Sequence, residues 1–102
     1  MPYTVRMSEL RVNWDEKKSR SNRRTHGVSF EEASSAFLDT FARVFFDPDH
    51  SDTEDRFLLL GLSCRLRVLV VCHCYREDET LIRIISARRA DMQEEHDYWS
   101  RR

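Results

Sequence analysis

The sequence predicts an α+β fold of two layers, in which an antiparallel sheet of about four strands carries two helices before it and one after it. Three observations support this. Basic, polar residues at helical spacing open the chain, three apolar β-rich runs joined by short polar connections follow, and a polar stretch of helical character closes it. Short connections between consecutive strands make hairpins, and helices segregated from such a meander pack onto the sheet as a separate layer.

The first helix is expected from Trp14 to His26, with Asp15 near its start and Gly27 where a left-handed C-cap is wanted. On that reading Trp14, Lys18, Asn22 and His26 recur every four residues and share a face. Ser29-Phe30-Glu31-Glu32 has the form of a capping box and opens a second helix over Phe30 to Leu38. Val44-Phe45-Phe46 reads as a strand stopped by Asp47-Pro48-Asp49, and the acidic stretch to Asp55 as a solvated loop. Arg56 to Ser63, Arg67 to Tyr75 and Leu81 to Ala87 are the β-rich runs, and Leu10-Arg11-Val12 offers a further short strand. The last helix is expected from Arg88 or Ala90 to about Ser100.

A chain of 102 residues, 40% hydrophobic with two glycines and two prolines, is that of one folded domain over residues 1–102. The start of the chain lacks the basic and then apolar pattern of a signal peptide, and no apolar run approaches the roughly 18 residues of a membrane span, so the expected compartment is the cytoplasm. Cys64, Cys72 and Cys74 are an odd set and read as reduced thiols.

The net charge of −1 conceals blocks of opposite sign. Residues 1–28 carry seven Lys/Arg against three acids, residues 29–55 eight acids against Arg43 alone, and residues 56–90 seven arginines against three acids. If these blocks segregate on the surface they give a basic face suited to nucleic acid and an acidic face suited to a basic partner; otherwise they pair with one another.

Several segments in order resemble the BrnT family of bacterial toxins. They are Trp14-Asp15 with Lys18 and Asn22, His26-Gly27-Val28-Ser29-Phe30-Glu31-Glu32-Ala33, Asp47-Pro48, and His50-Ser51-Asp52 with Glu54 and Arg56. Gly61 with Ser63, Arg67 before an apolar strand, and Ile82-Arg83-Ile84-Ile85-Ser86-Ala87-Arg88 with Ala90 complete the set, over about residues 10–98. The resemblance implies a RelE-like fold, an endoribonuclease that uses no metal or other cofactor, and an antitoxin of the ribbon-helix-helix type with which the toxin represses its own operon. Two positions depart from the family pattern. Thr25 stands before His26-Gly27 where the family has lysine, and Leu66 stands before Arg67 where the family has glycine.

Cleaving RNA without a metal needs a base for the 2′-hydroxyl proton, cations for the charge that grows on phosphate, and an acid for the leaving oxygen. Arginine forks match phosphate oxygens and stay charged. Arg83 lies between Ile82 and Ile84, on the alternation of Leu81 and Ile85, and a charge there requires either a wet cleft or an ion-pair partner on a neighbouring strand. Arg88 sits where the last strand passes into the last helix. Arg67 and Arg76 bracket the central strand, where arginines bind substrate or are simply solvated.

His26 can serve as base or acid, or can cap its helix. Lys18, on the same face, can bind phosphate. Glu54 is the nearest carboxylate base, or else an ion-pair partner of Arg56. The candidate catalytic set is therefore His26, Arg67, Arg83, Arg88 and Glu54, with Lys18 and Arg76 binding RNA. His73 reads as a satisfied core or surface histidine, and Cys72-His73-Cys74 does not read as a metal site because successive strand residues point to opposite faces.

The expected function is a growth-arresting toxin ribonuclease neutralised by its antitoxin, in a complex of two toxins and two antitoxins that meets operator DNA through the antitoxin alone and needs no membrane. The alternative, kept open by Thr25 and Leu66, is an inactive interaction module that serves as a co-repressor.

Overall fold

The computed structural model describes residues 2–7 and 10–101. Six strands form one sheet: β1 (Pro2–Met7), β2 (Leu10–Asp15), β3 (Arg43–Phe46), β4 (Phe57–Leu62), β5 (Val68–Arg76) and β6 (Leu81–Arg89), in the order β1-β2-β6-β5-β4-β3. Helices α1 (Glu16–His26) and α2 (Phe30–Ser35) precede β3, and α3 (Met92–Ser100) follows β6. The α+β reading therefore holds with a wider sheet than the expected four strands. β3 to β6 form the antiparallel meander, β1 and β2 form an antiparallel pair, and β2 joins β6 in parallel over Arg11–Asn13 and Leu81–Arg83.

Local chemistry sets the helix limits. The Asp15 carboxylate accepts from the backbone N–H groups of Lys17 at 2.9 Å and Lys18 at 3.4 Å, which fixes Asp15 as the N-cap. Trp14 consequently lies in β2 and not in the helix, and it alternates with Val12 into the core. Gly27 ends α1 in the left-handed region at φ 72°, donating its N–H to the Arg23 carbonyl. α1 is polar throughout and docks by hydrogen bonds more than by apolar burial. Ser19 Oγ accepts from Phe30 N–H, and the buried Asn22 amide bridges the Val28 and Ala87 carbonyls while accepting from Ala87 N–H.

Of the expected capping box at Ser29, half forms. Ser29 Oγ accepts from Glu32 N–H at 3.0 Å, but the Glu32 carboxylate turns inward to Ser63 and Arg67. A complete box forms at α3, between Asp91 and Glu94.

The two faces of the sheet are covered unequally. One face packs Val12, Trp14, Leu59, Leu69, Val71, Ile82, Ile84 and Ala87 against Phe30 and Ala33 of α2, Val28 before it and Ala36 in the turn after it. The chain approaches closely here: a Cβ on Gly61 would lie 3.0 Å from both the Ala36 carbonyl and Ala42 Cβ, so only glycine fits without movement. The opposite face is covered by α3 at one end only, where Tyr98 packs on Leu60, Val68 and Val70. Among the described residues, no helix is long and apolar enough to cross a membrane.

Candidate active site

The half of the second face that α3 leaves open is the one that collects arginines. Its composition depends on one irregularity in β6. Cys72 faces Ser86 while His73 faces Ile84, so Ile85 is an extra residue without a partner on β5. Strict alternation would put Arg83 and Arg88 on opposite faces, because they are an odd number of residues apart. The bulge resets the alternation and brings Arg83, Ser86 and Arg88 onto the open face, with Ile84 and Ala87 kept in the core. Register adds Asn13 beside Arg83, Cys72, Cys74 and Arg76 from β5, and Leu58 from β4.

A cleft of about 340 Å³ opens on this face, lined by Asp47, Asp49, His50, Arg56, Leu58, Cys72, Ile85, Ser86 and Arg88. At its mouth His50 Nδ1 lies 2.9 Å from Oδ2 of the buried Asp47. The turn that holds Asp47 is tied down on every side. Its N–H donates to the Arg56 carbonyl, its carbonyl accepts from Ser51 Oγ, and Ser51 Oγ accepts in turn from Arg56 N–H. A carboxylate on Nδ1 selects the tautomer whose Nε2 carries a lone pair, which is the state a general base needs.

The arginines differ in what already holds them. Arg88 makes a bidentate pair with Glu94, at 2.7 and 2.9 Å. Hydrogen bonding to Arg88 keeps the Glu94 carboxyl below its usual range, and the same contact raises the guanidinium's pKa. Arg76 donates to Glu54 at 2.8 Å. Arg83 has no hydrogen bond or ion pair among the described residues, and the buried Arg56 Nε has no partner either. Asn13 Oδ1, on the strand beside Arg83, and Arg11 Nε on that same strand are likewise buried without a partner. Buried polar atoms without partners are uncommon in a finished core and are tolerated where a ligand completes them.

The structure thus divides the sequence candidates. Arg76, Arg83, Arg88 and Glu54 share the open side of the sheet. Glu54 is engaged by Arg76 and not, as the sequence allowed, by Arg56. Arg67 does not join them: it lies on the helix-covered face, where Nε donates to Glu32 at 3.0 Å and Nη2 donates to Glu32 and to the Gly27 carbonyl. Burial alone would raise the Glu32 pKa, but hydrogen bonds from Arg67 and Ser63 outweigh it and hold the carboxyl below its usual range.

Lys18 and His26 lie on α1 and line a separate, shallower cleft with Asn22, Thr25 and Phe30. Ile85 is a wall of both clefts, so the bulge marks the border between them. His73 is wholly buried, edge-on to Phe37, with Nδ1 3.0 Å from the Val71 carbonyl and Nε2 3.3 Å from the Tyr75 hydroxyl. Burial lowers its pKa and raises those of Cys72 and Cys74, which lie on the opposite face.

Residues 14–94 match the profile of the ribonuclease toxin BrnT of type II toxin–antitoxin systems. The chain belongs to the BrnT toxin family. No curated protein matches it. A BrnT toxin is a ribonuclease, so RNA is its substrate, and a type II system supplies an antitoxin as its partner. Sequence reasoning on this BrnT chain placed His50 and Arg56 in the family pattern without assigning either to the site. The signal that could have found them is the Asp-Pro-x-His spacing, which lets the carboxylate reach a histidine three residues on across a proline-started turn.

Proposed function

We propose that this toxin cuts RNA on the open, arginine-bearing face of its sheet, without a metal, and that it arrests growth until its antitoxin neutralises it. The observation that supports this most is that one cleft is lined by Arg56, whose buried Nε has no partner, by Arg88 and by the Asp47-held His50, with Arg83 farther along the same face of the sheet. Phosphate oxygens are the natural complement of such guanidinium forks, and a cation set of this kind supplies the charge that a metal supplies elsewhere.

In this reading Arg56, Arg83 and Arg88 hold the scissile phosphate, and Arg76 steadies the strand beyond it. His50 Nε2 takes the 2′-hydroxyl proton. The 2′ oxygen then attacks phosphorus, the bond from phosphorus to the 5′ oxygen breaks, and a cyclic phosphate forms as the 5′ oxygen takes a proton from a general acid or water and leaves as a hydroxyl. Lys18 and His26, across Ile85, offer charge or a proton on the other side of the bulge. The partner is a dimeric ribbon-helix-helix antitoxin, giving two toxins and two antitoxins that meet operator DNA through the antitoxin.

The test is expression of the chain alone in bacteria, with RNA cleavage by the purified chain measured with and without EDTA. Growth stops and the cleavage rate is the same in both buffers. His50→Gln lowers that rate by about 100-fold, the usual contribution of a proton-transfer group. Normal growth at confirmed soluble expression favours the co-repressor reading instead.

A further inference from the structure

On the far side of the sheet from β1, the edge strand β3 is apolar on both of its faces. Val44, Phe45 and Phe46 are each about half exposed, and β3 pairs with β4 alone. The Asp47 N–H donates to the Arg56 carbonyl, which makes Asp47 and Arg56 a hydrogen-bonded pair. By antiparallel alternation Phe45 and Arg43 also bond to β4, so the backbone N–H and C=O groups of Val44 and Phe46 point outward. Natural edge strands are commonly protected by charged side chains, proline or a bulge. β3 has a charge only at its first residue, Arg43, and Val44, Phe45 and Phe46 carry no such protection.

Beside it, between the sheet and α3, lies a groove of about 190 Å³ with Phe45, Leu58, Leu60 and Val70 as its apolar walls. Glu94 and Asp97 of α3 stand at its rim, with Arg43 stacked over the Phe45 ring.

We propose that the antitoxin adds a strand to β3, with apolar side chains in the α3 groove and Lys or Arg residues toward Glu94 and Asp97. The outward groups of Val44 and Phe46 supply the main-chain bonds, and the groove supplies the apolar pocket that strand addition needs. Charge chooses this occupant over a second copy of the chain. A second copy paired along β3 would bring its own Glu94 and Asp97, on a helix without lysine or arginine, toward the same acidic rim, whereas a basic segment is attracted.

The same placement explains how docking silences the toxin. Leu58 is a wall of both this groove and the arginine cleft, so a strand seated on β3 with side chains in the groove lies directly beside the cleft and competes with RNA for that space. This last point rests on the cleavage site proposed above. The docking itself does not.

The test is direct titration of the full chain with the antitoxin encoded beside it, read by calorimetry and independent of RNA. Val44→Pro removes an outward N–H while leaving the β4 ladder intact, and Asp97→Lys reverses the rim charge. Each weakens antitoxin binding by about tenfold or more, a difference of about 1.4 kcal/mol, in chains whose thermal melts and RNA cleavage match the parent. In the parent, hydrogen exchange at the Val44 and Phe46 amides slows when antitoxin binds. Parental affinity in both folded variants, or unchanged exchange at these two amides, overturns the proposal. So does concentration-dependent self-association of the chain that Val44→Pro abolishes, because a second copy is then the occupant. If Val44→Pro does not fold, Asp97→Lys and the exchange measurement decide. If the chain binds antitoxin in this way yet cuts no RNA, the docking stands and the cleavage reading fails.

Discussion

The two faces of this sheet carry similar kinds of residue and treat them in opposite ways. On the face covered by α1 and α2, each polar group that enters the core has its partner there. Asn22 satisfies three backbone groups, Ser19 accepts from Phe30, His73 bonds Val71 and Tyr75, and Arg67 closes on Glu32. On the open face Arg83 has no partner among the described residues, and Arg56 and Asn13 keep buried polar atoms unpaired. An arginine's sequence neighbourhood does not separate these cases. Arg67 and Arg83 both border apolar strand residues, yet one is bound into the fold and the other is left available. Burying a charge without a partner is costly, so an arginine of the second kind persists where a wet cleft or an anionic ligand supports it.

The comparison breaks most sharply on a pair of substitutions. Arg83→Ala lowers RNA cleavage by about 100- to 1,000-fold, the range lost with a donor that stabilises developing charge, and leaves the melting temperature close to the parent's. Glu32→Gln does the reverse. It strands part of the Arg67 fork in a largely buried site and costs about 2–3 kcal/mol of stability, while cleavage per folded molecule is retained. Cleavage rates and urea unfolding on the same preparations check both. Loss of fold in Arg83→Ala, or loss of cleavage in a folded Glu32→Gln, would reverse the roles assigned to the two faces.

A smaller effect concerns pH. Burial lowers the His73 pKa below its ordinary 6.5, so the unfolded chain takes up this proton before the folded one does. Stability is complete above about pH 6.5 and falls as the pH drops below it, with a slope of at most about 1.4 kcal/mol per pH unit for this one group. Glu32 and Glu94, held below their ordinary 4.5, add a second loss that begins near that pH and runs lower. Urea midpoints from pH 7.5 to 5 show the first limb, and His73→Gln flattens it. If the slope survives that substitution, a group other than His73 is responsible for it.

The smallest effect is at Leu66, whose φ of 61° lies in the left-handed region. A Cβ is disfavoured there, and the family's glycine at this position is not. Leu66→Gly relieves the strain in the β4–β5 turn and gains about 0.5–1 kcal/mol, after the extra freedom glycine gives the unfolded chain. A melting temperature raised by a few degrees with unchanged cleavage is the expected result. A lowered one would mean that the freedom glycine gives the unfolded chain outweighs the strain relieved at this largely exposed position.

The sequence alone determined what near neighbours decide. Gly27 ends α1 because glycine adopts positive φ there, and Asp15 marks its start because a carboxylate caps it, although the expected start at Trp14 fell in β2 instead. The apolar runs and their short connections sufficed for the meander, and the ordered motifs from Trp14 to Ala90 sufficed for the family. Tertiary structure decided which side of the sheet each arginine serves. One extra residue at Ile85 inverts the alternation for everything after it, and nothing in Ile84-Ile85-Ser86 announces that it is there. Arg67 finds Glu32 across 35 residues of chain, and Glu54 finds Arg76 across 22, because strand order and helix packing bring them together. Ion pairs at that separation are set by the register of the sheet, and register is fixed only when the whole core is closed.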